Sequence, residues 1–357
     1  MKILHVVQSL ALGGQEILIV RLADALRSRG HEVVVVPLIA GGELEGRLPK
    51  HEVHPVPRRP GRDPFLVARL AWAMREHRAD VVHTHNDSPL VYGVPAARLA
   101  GVPRVIHTKH GAKAPARNAA LRTLLCRGLD AFVAVSSETA DRARATERVP
   151  EGKLVTIANG IPTRDFTANP ESRAAIRHEL RIGEDAFVVG TLGRLVPEKC
   201  PTLLLEAMAP LLLRGAHLLF VGDGPERRAL ESVVASQKLP RVHLLGARSD
   251  ASRVLAALDV FALSSQIEGL PLALVEAMAT SLAVVSTDVG GIRQATQDTA
   301  RLVPFGDAES MRSAILELWI SPALRASLGA SAMARAREHF DFDRVVDSYL
   351  RLYRGGQ

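Results

Sequence analysis

Two cysteines in 357 residues leave little scope for covalent staples. Cys126 and Cys200 stand apart, with no Cys-x-x-Cys, which argues against a disulfide framework and a cysteine-held zinc; a reducing compartment fits. No apolar run reaches the ~18 residues of a membrane span. The opening MKILHVVQSLALGG imitates a leader, but His5, Gln8 and Ser9 interrupt its apolar core and no small-x-small site follows. A first buried strand is the expectation. Aromatic residues make up only 4% of the chain, and there is no lysine-rich tail, so nucleic acid is the weakest partner class. No Gly-x-Gly-x-x-Gly follows a strand; Gly222-Asp-Gly224 lacks the third glycine. Gly152-Lys153 runs into Leu154, so there is no phosphate loop of the P-loop type, and neither Gly-x-Ser-x-Gly nor His-Glu-x-x-His occurs. Simple dehydrogenase, P-loop and hydrolase chemistry all lose ground.

What is present fits two domains at the usual ~150 residues each. The 47% hydrophobic content is that of a globular protein. Charge is uneven: residues 1–165 carry 24 basic and 16 acidic side chains, residues 166–357 carry 21 and 22. Two readings of that basic half stand side by side. One is a solvated face rich in arginine (38 Arg, 7 Lys), the other an anionic partner such as a membrane surface or a phosphorylated acceptor.

Short β-branched runs alternate with longer amphipathic ones. Strands are expected at 2–8, 32–38, 80–84, 104–108, 130–135 and 153–157, with helices between, including 16–29, 64–77, 89–100 and 137–146. The alternation restarts with strands at 187–191, 217–221, 241–244, 259–262, 283–286 and 301–303. Repeated βα units mean parallel sheets clothed by helices, so the fold class is α/β with two doubly wound domains. The boundary falls within the turn-rich stretch 158–184, and 55–64 is a proline-rich loop. Domains are expected at 1–165 and 166–340, with 341–357 left over; its stripe of Val345, Val346, Tyr349, Leu350 and Tyr353 is helical.

Gly13 and Gly14 precede the first long helix, where backbone N–H groups could meet an anion; a tight turn needing glycine is the alternative. In GRLVPEKCP, Arg194 and Lys199 follow Gly193 at the carboxyl end of a parallel strand, which suits a diphosphate; an ordinary exposed loop is the alternative. In SSQIEGLPLALVEAMA, a helix is expected near Pro271, with Glu268 before it and Glu276 one turn inside. Backbone N–H groups over 269–272 would attract phosphate or sugar oxygens. Stabilising the helix dipole accounts for Glu268 but not for Glu276. His83-x-His85 could share one face of a strand and bind metal, but no third ligand of matching spacing follows. A loop or core role is favoured for His83, His85 and His107.

The order GGQE, DVVHTHN, TKHG, NGI, GRLVPEK, VGDGPER, EGLPLALVEAMA and STDVGG resembles the retaining glycosyltransferases of family 4 over nearly the full length. The Glu-x7-Glu pair is the specific element. The resemblance implies the GT-B architecture: two Rossmann-like domains facing across a cleft, with the last helix crossing back to the first. It implies that Arg194 and Lys199 hold the donor diphosphate in place of a metal. Glu276 would bind ribose hydroxyls, Glu268 would face the transferred sugar, and His110 would serve near the reaction centre. Gly13, Gly14, Gly193, Gly269, Leu270, Pro271 and Leu272 would line the donor, and Asp250 would meet its base. Pro271 stands where the family often has glycine, and Gln294 where it often has an acid. No metal or cofactor is implied; the nucleotide-sugar, of UDP or GDP type, is a substrate. Glycan, lipid-linked and small-molecule acceptors remain open, in a cytoplasmic protein reaching the inner membrane face. A sugar-nucleotide epimerase on the same fold and a catalytically silent binding protein are the rivals.

Overall fold

Branched aliphatic residues crowd χ1 in helices and suit the pleat of a sheet, so runs such as EVVVVP and AVVST become strands, while the striped runs between them become covering helices. The computed structural model describes residues 1–61, 63–111 and 119–356; Arg62 of the proline-rich loop, and Gln357, lie outside them. The chain divides into two compact units, Met1–Asn159 with Asp343–Gln357, and Gly160–Phe342.

The first unit runs β1 (Lys2–Val7), α1 (Gly14–Ser28), β2 (Glu32–Pro37), α2 (Phe65–Glu76), β3 (Val81–His85), α3 (Asp87–Ala100), β4 (Arg104–Lys109), α4 (Ala119–Arg127), β5 (Ala131–Ala134), α5 (Ser137–Arg142) and β6 (Leu154–Thr156). Its described strands form a parallel sheet ordered β2-β1-β3-β4-β5-β6, so strand order reverses between β1 and β3. Leu4, Val6, Val82, Val105 and Phe132 project to one face, into a core shared with Leu70 of α2, Val94 of α3 and Leu125 of α4. The expected helix over 137–146 ends early: α5 passes into a wider turn, Ala143–Glu147, stopped by Arg148 in the left-handed region.

The second unit runs α6 (Pro170–Glu179), β7 (Val188–Leu192), α7 (Pro201–Leu213), β8 (His217–Val221), α8 (Arg227–Ser236), β9 (Val242–Leu244), α9 (Ala251–Ala256), β10 (Val260–Leu263), α10 (Leu272–Ala279), β11 (Ala283–Thr287), α11 (Ile292–Thr296), β12 (Ala300–Val303), α12 (Ala308–Ile320) and α13 (Pro322–His339). Its sheet is parallel in the order β12-β11-β10-β7-β8-β9, reversing between β7 and β10. The two reversals matter for function. In open parallel sheets, ligands settle beyond the carboxyl ends of the strands where the order turns.

The helical stripe at the end of the chain is α14 (Phe342–Tyr353). Val345, Val346, Tyr349, Leu350 and Tyr353 are all buried. Residues 343–357 belong to the first unit, where Arg29, at the C-terminal cap of α1, binds Asp343 and Asp347, and Arg104 donates to the Leu352 carbonyl.

Candidate functional site

In the second unit, the reversal between β7 and β10 brings the predicted cations and a carboxylate together. The loop leaving β7 carries Gly193 and Arg194, then a single helical turn, Pro197–Lys199. The loop leaving β10 carries Ser264, Ser265 and Glu268. Ser264 Oγ donates to the carbonyls of Lys199 and Cys200, and the Gln266 N–H donates to the Glu198 carbonyl, so the two loops are stitched. Glu268 Oε1 lies 2.5 Å from Lys199 Nζ and accepts from Ser265 Oγ at 2.6 Å. The carboxylate is 6% exposed and Lys199 is half-buried, whereas Arg194 is exposed. An open cavity is lined by Gly193, Arg194, Lys199, Ser264 and Ser265. A half-buried ammonium beside an exposed guanidinium is a donor set for an anion with several oxygens.

Two glycines are demanded by this packing. A Cβ on Gly222 (φ 135°) would fall 1.9 Å from the Gly193 carbonyl oxygen. A Cβ on Gly290 (φ 61°) would fall 2.0 Å from the Glu268 carbonyl oxygen. The glycines of VGDG and VGG are therefore where neighbouring backbone presses against the cation loop and the Glu268 loop. The Gly291 N–H donates to Gly269 and completes that seam.

The helix expected near Pro271 is α10, with Pro271 at its N-cap and Leu272 as its first residue. Pro271 has no N–H, so the backbone donors expected over 269–272 are reduced by one. Glu276 is buried one turn inside α10. Asp250 precedes α9, and its carboxylate is gripped by Arg248 at 2.8 Å through both Nε and Nη2. That guanidinium holds the Asp250 carboxyl below its ordinary range. Asp250, Glu276 and residues 269–272 do not line the Arg194–Lys199 cavity.

In the first unit, His110 follows β4 and Gly13 caps α1. Gly13 is extended (φ −164°), a conformation open to any residue, so a tight turn does not explain it; Gly14 opens the helix. His110, half-buried, ends a line of imidazoles whose other members are buried. Parallel register places His5 of β1 beside His83 of β3, and alternation puts His85 on the same face as His83. His5 Nδ1 meets His85 Nε2 at 3.0 Å, and His85 Nδ1 meets His110 Nε2 at 3.0 Å. Whichever end supplies the proton, neutral His85 donates to one neighbour and accepts from the other, so the line is polarised along its length. Burial drives His110 down to about 4, against an opposing contribution from Asn159, and His5 to about 3. These rings are neutral at pH 7.

The third ligand missing from the sequence pattern lies nearby in space. One ring nitrogen each of His5, His83 and His85 falls within 4.8 Å of the others, a separation a cation could bridge. In the fold, however, His83 is bonded to Tyr353 at 2.8 Å and Thr108 at 2.7 Å, and His85 to His5 and His110. His107 points to the opposite face, against Thr84 and the edge of Phe132. His5, His83, His85 and His107 are buried core histidines. His5, Asn86, Gln15 and Ser265 received no role from sequence patterning. The only signal for Asn86 was its place at the end of DVVHTHN.

Comparison with known proteins adds to this geometry. Residues 12–165 match the family model described as Glycosyltransferase Family 4, and residues 186–321 that described as Glycosyl transferases group 1. A UDP-Gal:α-D-GlcNAc-diphosphoundecaprenol α-1,3-galactosyltransferase of Escherichia coli is 29% identical over 296 residues, covering 78% of this chain and 76% of its own. A GDP-mannose-dependent α-(1-6)-phosphatidylinositol monomannoside mannosyltransferase of Mycobacterium tuberculosis is 28% identical over 323 residues, covering 82% and 80%. Anabaena HepE, solved with UDP and glucose, superposes with a TM-score of 0.86 at 23% identity over 99% of both chains. That last likeness is one of fold.

Proposed function

The chain belongs to the family 4, group 1 glycosyltransferases, and from that premise we propose that it moves a sugar from a UDP- or GDP-linked donor to a hydroxyl acceptor, with retention at the anomeric carbon and without a metal. One observation carries the reading. Arg194 and Lys199 stand with Glu268 beyond the strand ends where the second sheet reverses. The bond between the anomeric carbon and the diphosphate oxygen breaks with its electron pair going to that oxygen. Arg194 and Lys199 meet the charge as it grows, an electrostatic effect that preorganised cations supply well. The acceptor oxygen bonds to the same face of the sugar, and its proton leaves on the diphosphate. Glu268 holds Lys199 in place and offers its carboxylate to sugar hydroxyls. Glu276 serves the ribose, Asp250 the base, and Gly13 and Gly14 the phosphates. His110, neutral at pH 7, is a hydrogen-bonding group on the acceptor side rather than a cation.

The two relatives named above act on lipid-linked acceptors, which favours a lipid-linked acceptor here and a role in surface polysaccharide or glycolipid synthesis. No described helix is long and apolar enough to cross a membrane. The first unit instead offers a surface suited to lying on an anionic one. Phe65 and Trp72, two turns apart on α2, are 65% and 62% exposed, within the basic half of the chain. Flotation with phosphatidylglycerol vesicles tests this: binding at low salt that is lost in Phe65→Ser/Trp72→Ser supports it, and no binding at low salt overturns it. For the transfer itself, UDP- and GDP-sugars are offered with and without candidate lipid acceptors, and free nucleotide is measured. Nucleotide released with an altered free sugar and no acceptor would point to an epimerase instead. Failure to bind any nucleotide would point to a silent binding protein.

A further inference from the structure

We propose that Asn86 is a positioning residue that sets His110 and the Gly13–Gln15 segment in register; the inference rests on the reading of His110 as a group used in the reaction. Asn86 lies just past β3, at the strand-order reversal of the first sheet. Its backbone has φ 61° and ψ −166°, a region essentially reserved for glycine. Arg148 and Cys200, also at positive φ, sit in the ordinary left-handed well, with ψ of 45° and 53°, whereas Gln297 (φ 48°, ψ −122°) lies outside it as Asn86 does. A glycine at 86 would take the observed backbone at no steric cost. An asparagine there is strained, so its side chain must repay the strain.

Both ends of that side chain are used. Oδ1 accepts from the His110 backbone N–H at 2.9 Å. Nδ2 donates to Gln15 Oε1, on the first turn of α1. The backbone is engaged as well: the Asn86 N–H donates to Thr108 at 3.0 Å, and its carbonyl accepts from Leu90 at 3.1 Å to start α3. One residue thus joins three segments: the first turn of α1, the start of α3 and the loop carrying His110. The neighbouring residue, His85, holds the His110 ring at Nε2. His110 is therefore fixed at its backbone by Asn86 and at its imidazole by His85. Asparagine and aspartate carry two polar atoms on one short stem, one to accept from His110 and one to meet Gln15, and glycine supplies neither.

The test compares full-length wild type, Asn86→Gly and Asn86→Asp. Asn86→Gly relieves the strain and removes both tethers. It is expected to melt no lower than wild type and to lose ~10–100-fold in kcat. Amide exchange at His110 should quicken in the same variant. Asn86→Asp keeps the acceptor for His110, and Gln15 can turn its amide to donate to the carboxylate; kcat should return to within about 5-fold of wild type. Asn86→Gly with wild-type kcat overturns the proposal. So does a lowered melting temperature with activity lost in proportion to unfolding, or failure of Asn86→Asp to recover. If wild type itself turns over no nucleotide-sugar, the functional reading fails instead. The exchange rate at His110 then decides the tether alone, and unchanged protection in Asn86→Gly overturns it.

Discussion

Glu268 holds Lys199. The carboxylate oxygen that lies 2.5 Å from the ammonium also takes the Ser265 hydroxyl, so the cation is steered by a group that is itself anchored. Arg194, on the same loop, is exposed. The two cations should therefore differ on removal. Lys199→Ala and Arg194→Ala are each expected to lower kcat by ~10²–10³. Only Lys199→Ala should also lower the melting temperature, because it strands a buried carboxylate. Steady-state kinetics with a melting curve on each variant checks both halves, and either variant within a few-fold of wild-type kcat removes that cation from the mechanism.

Nucleoside diphosphates should raise the melting temperature. A ligand at ~100 Kd adds about 2.7 kcal/mol to whatever binds it, enough for a rise of several degrees at this size. UDP and GDP are the first to try, each with and without a chelator. The rise should survive chelation and vanish in Lys199→Ala. A rise that needs a divalent cation would overturn the metal-free mechanism.

Acid should unfold the first unit early. Burial depresses His5 to about 3 and His110 to about 4, and pushes His83, His85 and His107 the same way. In the unfolded chain these rings titrate near 6.5. Between the two values the unfolded chain binds protons that the folded one refuses, so stability is complete above about pH 7 and is lost as pH falls. An isolated imidazole of this kind contributes about 1.4 kcal/mol per pH unit. Melting temperatures should be level from about pH 7 to 9 and drop steeply between about 6 and 5. A level profile to pH 5 would mean that the rings are charged in the fold.

Much of the fold was legible from β-branched runs and helical stripes, because parallel strands covered on both faces are apolar throughout. Arg194, Lys199 and Glu268 were legible because charge in a loop after a strand is conspicuous. The rest depended on what a linear pattern does not carry. His5 neighbours His83 only through parallel register, so spacing along the chain could not supply it as a third imidazole. Ser265 is an ordinary serine until its hydroxyl is seen on Glu268. Asn86 reads as a common turn residue, since its backbone angles leave no mark on residue type. Asp250 looked free for a base, yet Arg248, two residues away, occupies its carboxylate.

Gly290 gives a sharper test of the Glu268 loop than any change to Glu268 itself. A methyl at 290 must displace the Glu268 carbonyl, and the backbone there is unfavourable for alanine at φ 61°. Gly290→Ala should destabilise by about 1–3 kcal/mol and lower kcat, with Glu268 chemically untouched. A variant as stable and as active as wild type would mean that the loop tolerates movement where the packing says it does not.

The bond between His83 and Tyr353 joins residues 270 positions apart. During synthesis, residues 160–342 are made between the two partners, so His83 exists long before Tyr353 can meet it. Until then the Nδ1 of His83 lacks its tyrosine partner. The unit begun first is finished only after the whole of the second has been made.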